Sequence, residues 1–273
     1  MILKFYVPLL YSLETRFAHK SVSGAFLWIL DYFLPIMALM FISLSMVDYF
    51  TFLVGVVAIL FVYGLYEVGY IQNDAETIKG EENPTKRLSN NDISYYERHK
   101  FDIYTIRAIW GLAFSYFFFY IYPCSSIIVV LILMWMILPL YLIYNSNRSK
   151  WCIILLNILT SYRYIMPVIL VIGRFDIISI GVAYFMHPFP TIIQQAIMGK
   201  FGVEATMLKK YILSDFSKRY LFRVKYYSIM FLFLLVILLI TCNSILYIFI
   251  PLYYLIYKFL MFIKYPGPIE DHR

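Results

Sequence analysis

The chain alternates between long apolar stretches and short polar segments. A membrane-spanning helix needs about 20 mainly apolar residues, and eight stretches meet that length: 27–47, 50–72, 103–122, 126–144, 152–173, 175–196, 227–245 and 246–265. Strands of a membrane barrel would alternate apolar and polar residues, whereas a stretch such as 231–240 is apolar on every face. The pattern predicts an all-α polytopic membrane bundle of about eight transmembrane helices, forming one domain over residues 1–273.

The composition agrees with a membrane protein and excludes other classes. Hydrophobic residues make up 62% of the 273 residues and charged residues 14%, against about 25% charge in a typical soluble domain. The mean hydropathy of +0.76 exceeds what one soluble core can bury, so lipid must solvate the rest. The cysteines, Cys124, Cys152 and Cys242, have no paired spacing, which excludes a disulfide framework and a cysteine metal site.

The basic residues give an orientation in the membrane. With eight spans and the N-terminus inside, 20 of the 23 Lys and Arg residues fall in cytoplasmic segments, as the positive-inside rule requires. Membrane lipids are therefore expected partners, and nucleic acid is not. Two long segments, 73–102 and 197–226, are predicted to form a cytoplasmic cap over a site.

Carboxylates, an amide and a hydroxyl follow the second predicted span. Glu67, Asp74 and Glu81 are spaced seven residues apart and share one face if the helix continues past the membrane surface, with Asn73 and Thr77 close by. Such oxygen ligands suit a hard cation such as Mg²⁺. A solvated loop of mixed charge is the alternative. Glu67 favours a site, because a carboxylate within a span is costly unless it faces a polar cavity or a partner.

This segment resembles the Asn-Asp-x-x-Asp-x-x-x-Asp signature of the UbiA-type intramembrane prenyltransferases. Asn73-Asp74 matches its opening, and Thr77 and Glu81 stand at its second and third acidic positions. Residues 83–87, Asn-Pro-Thr-Lys-Arg, resemble the His-Pro-Thr-Lys-Arg segment of the decaprenyl-phosphate phosphoribosyltransferase branch. The eight-helix layout agrees with that family along the whole chain.

The resemblance implies a Mg²⁺-dependent transferase of the bacterial inner membrane, with its active site facing the cytoplasm. In the phosphoribosyltransferase branch, the donor is phosphoribosyl diphosphate and the acceptor is a polyprenyl phosphate of cell envelope polysaccharide biosynthesis. The alternative is a prenyltransferase that moves a prenyl group from a prenyl diphosphate to a small acceptor. On this chain, the resemblance implies catalytic roles for Asn73, Asp74 and Glu81, and metal binding by Asp74 and Glu81. The shared helix face adds Glu67 as a further predicted metal ligand.

The second long segment supplies cations more clearly than acids. The family's second acidic motif has no Asp-x-x-x-Asp counterpart within 199–227, so Asp215 is nominated as a metal ligand by position alone. Phosphoribosyl transfer needs more cations than prenyl transfer, because its donor and acceptor carry additional phosphates. We predict phosphate binding by Lys86, Arg87, Arg107, Arg163, Lys200, Lys209 and Arg219. For each residue, topology and lipid headgroups are the alternative explanation.

A lipid flippase or transporter is the non-enzymatic alternative. Alternating access places polar groups near the membrane midplane, often on broken helices, whereas the polar groups of this chain crowd the cytoplasmic half. Arg163, about eleven residues inside the fifth predicted span, is deep enough to require an acid, a phosphate or a wet cavity as partner. The sequence therefore favours an enzyme over a transporter.

Overall fold

The computed structural model describes residues 2–17, 22–80, 85–147, 149–203, 205–211, 219–241 and 244–265, in which the regular elements are all helical. The helices are α1 (Leu10–Ser12), α2 (Val22–Trp28), α3 (Leu34–Leu44), α4 (Tyr49–Ala75), α5 (Asn90–Ile121), α6 (Ser125–Trp135), α7 (Ile137–Ser146), α8 (Cys152–Ile172), α9 (Ile177–Met186), α10 (Pro188–Ile197), α11 (Thr206–Tyr211), α12 (Arg219–Thr241) and α13 (Phe249–Lys264). Short 3-10 segments lie at Ile2–Phe5, Thr77–Gly80, Lys200–Gly202 and Ile245–Ile248, and π-helical turns at Leu13–Phe17 and Ile29–Phe33.

The predicted helical bundle is confirmed, with seven candidate spans in the described ranges. They are Gly24–Leu44, Tyr49–Gly80, Ser125–Ser146, Cys152–Ile172, Ile177–Ile197, Arg219–Thr241 and Ile245–Lys264. Each corresponds to one of the eight predicted stretches. The remaining stretch, 103–122, is helical within α5, but its tyrosines, its tryptophan and Arg107 make it less apolar than the seven.

The two long polar segments are largely helical. In the first, α4 continues to Ala75 and α5 begins at Asn90. Ser89 caps α5, since its Oγ accepts a bond from the Asp92 amide at 3.2 Å while the Asp92 carboxylate accepts one from the Ser89 amide at 3.1 Å. In the second segment, 197–226, short helices precede the first turns of α12. Many charged residues of these two segments therefore lie on the ends of helices and not in irregular loops.

Helix α4 lies at the centre of the bundle, packed against α5, α7 and α8. Phe61 and Val62 are completely buried there. The approach to α7 is closest at Gly69, where an added Cβ would lie 2.1 Å from the Tyr141 ring. Asn145 of α7 donates from Nδ2 to the Gly69 carbonyl at 3.1 Å. The absence of a side chain at Gly69 thus allows α4 and α7 to form one continuous wall.

Residues 2–17, called the N-terminal segment below, pack on α4 and α5 through an apolar cluster. Phe5 and Tyr11 are completely buried against side chains that include Ile71 of α4 and Tyr96 and Ile103 of α5. The positive-inside pattern predicts only cytoplasmic charge for this segment. Its packing places two of its side chains beside the acidic face of α4.

Candidate anion-binding site

Glu67 forms a sealed ion pair with Arg107. The two side chains have no exposed surface, and Arg107 Nη1 lies 2.7 Å from Glu67 Oε2. Glu67 also accepts bonds from the Leu9 amide at 3.0 Å and the Ser12 amide at 2.6 Å. Arg107 donates its remaining bonds to the carbonyls of residues 4–5, each at 2.8 Å. In place of the predicted metal and phosphate ligands, the structure therefore has a pair that holds the N-terminal segment on α4 and α5.

Asp74, two turns further along α4, accepts bonds from four side chains. Its Oδ1 accepts from Arg16 Nη2 at 2.9 Å, Asn73 Nδ2 at 3.1 Å and Arg87 Nη1 at 3.1 Å. Its Oδ2 accepts from Arg16 Nη2 at 2.8 Å and the Tyr11 hydroxyl at 3.0 Å. Burial raises the pKa of Tyr11, so its phenol stays protonated and continues to donate. The carboxylate is thus bound by two guanidinium groups, an amide and a phenol.

A polar cavity of about 400 Å³ lies beside this cluster, between α4, α7 and α8. Three cations line it, namely Arg16, Arg87 and Lys200, and we call them the cation cluster. The other lining residues are Tyr66, Tyr70, Asn73, Ile78, Thr85, Tyr141, Tyr144, Asn145, Leu156, Leu159 and Phe201. The predicted segments 73–102 and 197–226 therefore both contribute to one cavity.

Arg163 lies next to the cavity, one turn beyond the lining residue Leu159 on α8. Its Cζ is 5.4 Å from the ring centroid of Tyr164, 5.7 Å from that of Tyr66 and 5.9 Å from that of Tyr32. Its Nε is buried without a hydrogen-bond partner, and among the described residues no carboxylate pairs with it. Aromatic faces stabilise this deep cation, in place of the acid, phosphate or wet cavity predicted as its partner.

Comparisons with protein-family models, with curated protein sequences and with solved structures gave no match.

Five of the seven predicted phosphate ligands do not line the cavity. Arg107 is paired with Glu67, and Arg163 lies next to the cavity. Lys86 and Lys209 are exposed, and Arg219 begins α12. Two further predicted residues, Glu81 and Asp215, lie outside the described residues, and their roles stay predictions. Of the seven predicted phosphate ligands, Arg87 and Lys200 thus reach the cavity, and Arg163 adjoins it.

The carboxylates that the structure describes near the cavity do not fit a magnesium ion. Mg²⁺ requires oxygen ligands in near-ideal octahedral geometry, but both oxygens of Asp74 and of Glu67 already accept bonds from protein donors. Glu76 accepts a bond from the Tyr96 hydroxyl at 2.5 Å and pairs with Lys100. Over the described ranges, no group of three or more His, Cys, Asp or Glu side chains could hold a metal ion. Magnesium dependence stays a prediction.

Lys200 is partly buried in the wall of the cavity. Burial, together with the nearby guanidinium of Arg87, lowers the pKa of Lys200 from its usual 10.5. A bound anion would offset both effects by supplying the missing counter-charge. The lowered pKa therefore reflects burial first and the positive charge of Arg87 second.

A second, mostly apolar space of about 390 Å³ lies between α4, α5 and α7. Leu65, Val68 and Leu138 line its apolar part, and Lys100 lies at a polar part of its lining. Tyr141 lines this groove and the polar cavity alike. The mostly apolar groove and the cationic cavity therefore share the Tyr141 ring as part of their walls.

Arg16, Tyr11 and Asn145 are site residues that sequence reasoning missed. The positive-inside rule alone accounts for Arg16 in the sequence, whereas in the structure Arg16 donates to both oxygens of Asp74. Asn145 donates to Gln72 Oε1 at 3.0 Å and lines the cavity. The available signal was polarity within otherwise apolar stretches, at Asn145 near the end of a predicted span and at Arg16 after the apolar start of the chain.

Proposed function

We propose that the protein is an integral membrane transferase that binds a diphosphate-bearing donor in the polar cavity. The supporting observation is the cation cluster, which brings Arg16, Arg87 and Lys200 together from three distant parts of the chain. Guanidinium and ammonium groups bind phosphate oxygens through charge-assisted hydrogen bonds. Because the neighbouring carboxylate of Asp74 offsets only one of the three charges, the cluster suits a ligand with at least two negative charges.

The proposed reaction is phosphoribosyl transfer from phosphoribosyl diphosphate to a polyprenyl phosphate. The bond between ribose C1 and the diphosphate oxygen breaks, and its electron pair leaves with diphosphate. An oxygen of the polyprenyl phosphate forms the new bond to C1. The donor and the acceptor each carry a phosphate besides the leaving group. Arg163, next to the cavity and without an acid partner among the described residues, supports a substrate set with these extra charges.

The proposed location is the cytoplasmic face of a bacterial inner membrane, where the acceptor's polyprenyl chain needs an apolar surface open to lipid. The apolar lining of the groove at Leu65, Val68 and Leu138, next to the cavity, supports this location. The same groove suits the chain of a prenyl diphosphate, so prenyl transfer to a small acceptor is the second candidate. A flippase or transporter is less favoured, because the cation cluster lies at one end of the bundle, where α4 and α7 end and α8 begins.

The test compares two donors on purified protein in lipid nanodiscs. We expect diphosphate release and a phosphoribosylated lipid with phosphoribosyl diphosphate and polyprenyl phosphate, and no product with farnesyl diphosphate. Arg87→Gln should lower the donor affinity about tenfold, the effect of about 1.4 kcal/mol from one charge-assisted contact. Arg98→Gln is the matched control, since Arg98 is exposed on α5 and does not line the cavity.

Two results would change this proposal. Turnover of farnesyl diphosphate, with phosphoribosyl diphosphate ignored, would leave the prenyltransferase candidate. Failure to release diphosphate from either donor, by protein that remains folded, would remove the transferase proposal altogether.

A further inference from the structure

Asp74 lies behind the cation cluster and has no surface in the cavity. Its side chain is 0% exposed, whereas 17% of the Arg16 side chain and 26% of the Arg87 side chain are exposed. Arg16, Arg87 and Asn73 line the cavity. A ligand that enters therefore meets guanidinium groups before it can reach the carboxylate, which is not the position expected of a metal ligand.

Each arginine donates to Asp74 through one terminal nitrogen and has a second terminal nitrogen without a described partner. Arg16 contacts both Asp74 oxygens through Nη2, and Arg87 contacts Oδ1 through Nη1. In the described part of the chain, no hydrogen bond engages Arg16 Nη1 or Arg87 Nη2. The Arg16 guanidinium also lies 4.2 Å over the Tyr70 ring centroid, which restricts its plane. Both side chains line the cavity and keep donors that no described residue engages.

We propose that Asp74 is a positioning residue for Arg16 and Arg87, and that these two guanidinium groups, with Lys200, bind the diphosphate end of the donor without a bridging metal ion. The identity of the ligand rests on the proposed function. The binding step itself needs no transfer, so it can be measured independently.

The charge balance supports metal-free binding. Three cations and one carboxylate leave two positive charges at the cavity, enough to neutralise much of a diphosphate. A magnesium ion on Asp74 would have to displace at least one guanidinium, and breaking a buried ion pair is costly. It would also add two charges where positive charge is already in excess. Direct binding by the cation cluster avoids both costs.

Binding of radiolabelled inorganic diphosphate to the full chain in nanodiscs tests the inference. We expect binding in excess EDTA, with Arg16→Gln and Arg87→Gln each weakening it about tenfold. Asp74→Asn should change the dissociation constant by the same factor in EDTA and in Mg²⁺, because a positioning residue acts through the arginines in both conditions. A metal ligand would show its effect in Mg²⁺ alone.

Matched controls separate this role from a loss of folding. Glu97→Gln is the control for Asp74→Asn, because Glu97 pairs with Lys79 at 2.7 Å on the surface, where both side chains are 55% exposed. If Asp74→Asn fails to fold, Arg16→Gln decides, since Asp74 then keeps Arg87, Tyr11 and Asn73 as partners.

The outcomes distinguish this inference from the proposed function. Diphosphate binding that requires Mg²⁺ and is lost in EDTA overturns metal-free binding, while transfer activity would still stand. Absence of diphosphate binding in both conditions also overturns the inference, and the donor assay then reports separately on the transferase.

Discussion

Glu67 and Asp74 lie two turns apart on one face of α4, and each is buried against the N-terminal segment and bound by arginine. The partners differ in their surroundings. Arg107 is completely buried and gives its other donors to backbone carbonyls, whereas Arg16 and Arg87 keep exposed surface at a cavity.

This difference shows how a buried carboxylate acquires its role. Both carboxylates satisfy the rule that an intramembrane charge needs a partner. At Glu67, the Arg107 donors bind the carboxylate and two backbone carbonyls, so the pair holds the N-terminal segment in place. At Asp74 the partners retain donors for a ligand, so the carboxylate orients a binding surface. The exposure of the arginine, and not the burial of the acid, separates the two sites.

The largest effect is expected from breaking the sealed pair. Arg107→Gln leaves the Glu67 carboxylate buried without its counter-charge, which costs about 3–5 kcal/mol. Thermal or denaturant unfolding in detergent measures this loss. The double variant Glu67→Gln with Arg107→Gln should be more stable than Arg107→Gln alone, because no unpaired charge remains. Wild-type stability of Arg107→Gln would show that the pair does not hold the N-terminal segment.

A smaller effect is expected from Gly69, where α4 packs against Tyr141 in the wall of the polar cavity. Gly69→Ala places a Cβ 2.1 Å from the Tyr141 ring, and such overpacking costs about 1–3 kcal/mol. The displaced ring must move into the groove or the cavity that it lines, so diphosphate affinity should also fall. Gly181→Ala is the control, because nothing lies within 4 Å of an added Cβ there. Equal behaviour of the two variants in unfolding and binding would contradict the close α4–α7 contact.

The smallest expected effect is a pH dependence of diphosphate affinity at the polar cavity. The lowered pKa of Lys200 means that its charge is fully present at lower pH and is lost as the pH rises through that lowered value. Diphosphate affinity should therefore decline over alkaline pH by about tenfold at most, one charge-assisted contact. Lys200→Arg should reduce the decline, because guanidinium stays charged, while the titration of diphosphate itself is unchanged. Identical pH profiles would exclude Lys200 from the site.

The fold and the acidic face were predictable because their signals are local. Apolar stretches of sufficient length marked all seven spans that the described residues contain. The seven-residue spacing placed Glu67 and Asp74 on one face, and the structure confirms this, since both contact the N-terminal segment. Helical periodicity is a property of neighbouring residues and needs no knowledge of packing.

The partners within the site were not predictable in the same way. Arg16 and Asp74 are 58 residues apart, and no periodic pattern connects positions at that distance. The position of Arg163 within an apolar stretch predicts its depth in the membrane. Its contacts with Tyr32 and Tyr66 arise only where three helical segments meet. Such contacts depend on how helices pack, which the order of apolar and polar residues does not encode.

The distances along the chain between the partners of the sealed pair also set an order for biosynthesis. Glu67 is synthesised 40 residues before Arg107, and the carbonyls that Arg107 binds lie 102 and 103 residues before it. When α4 leaves the translocation machinery, the amides of Leu9 and Ser12 are the partners already available to its carboxylate. Arg107 is thus the last partner of Glu67 to be synthesised, and the sealed pair is complete only once α5 is present.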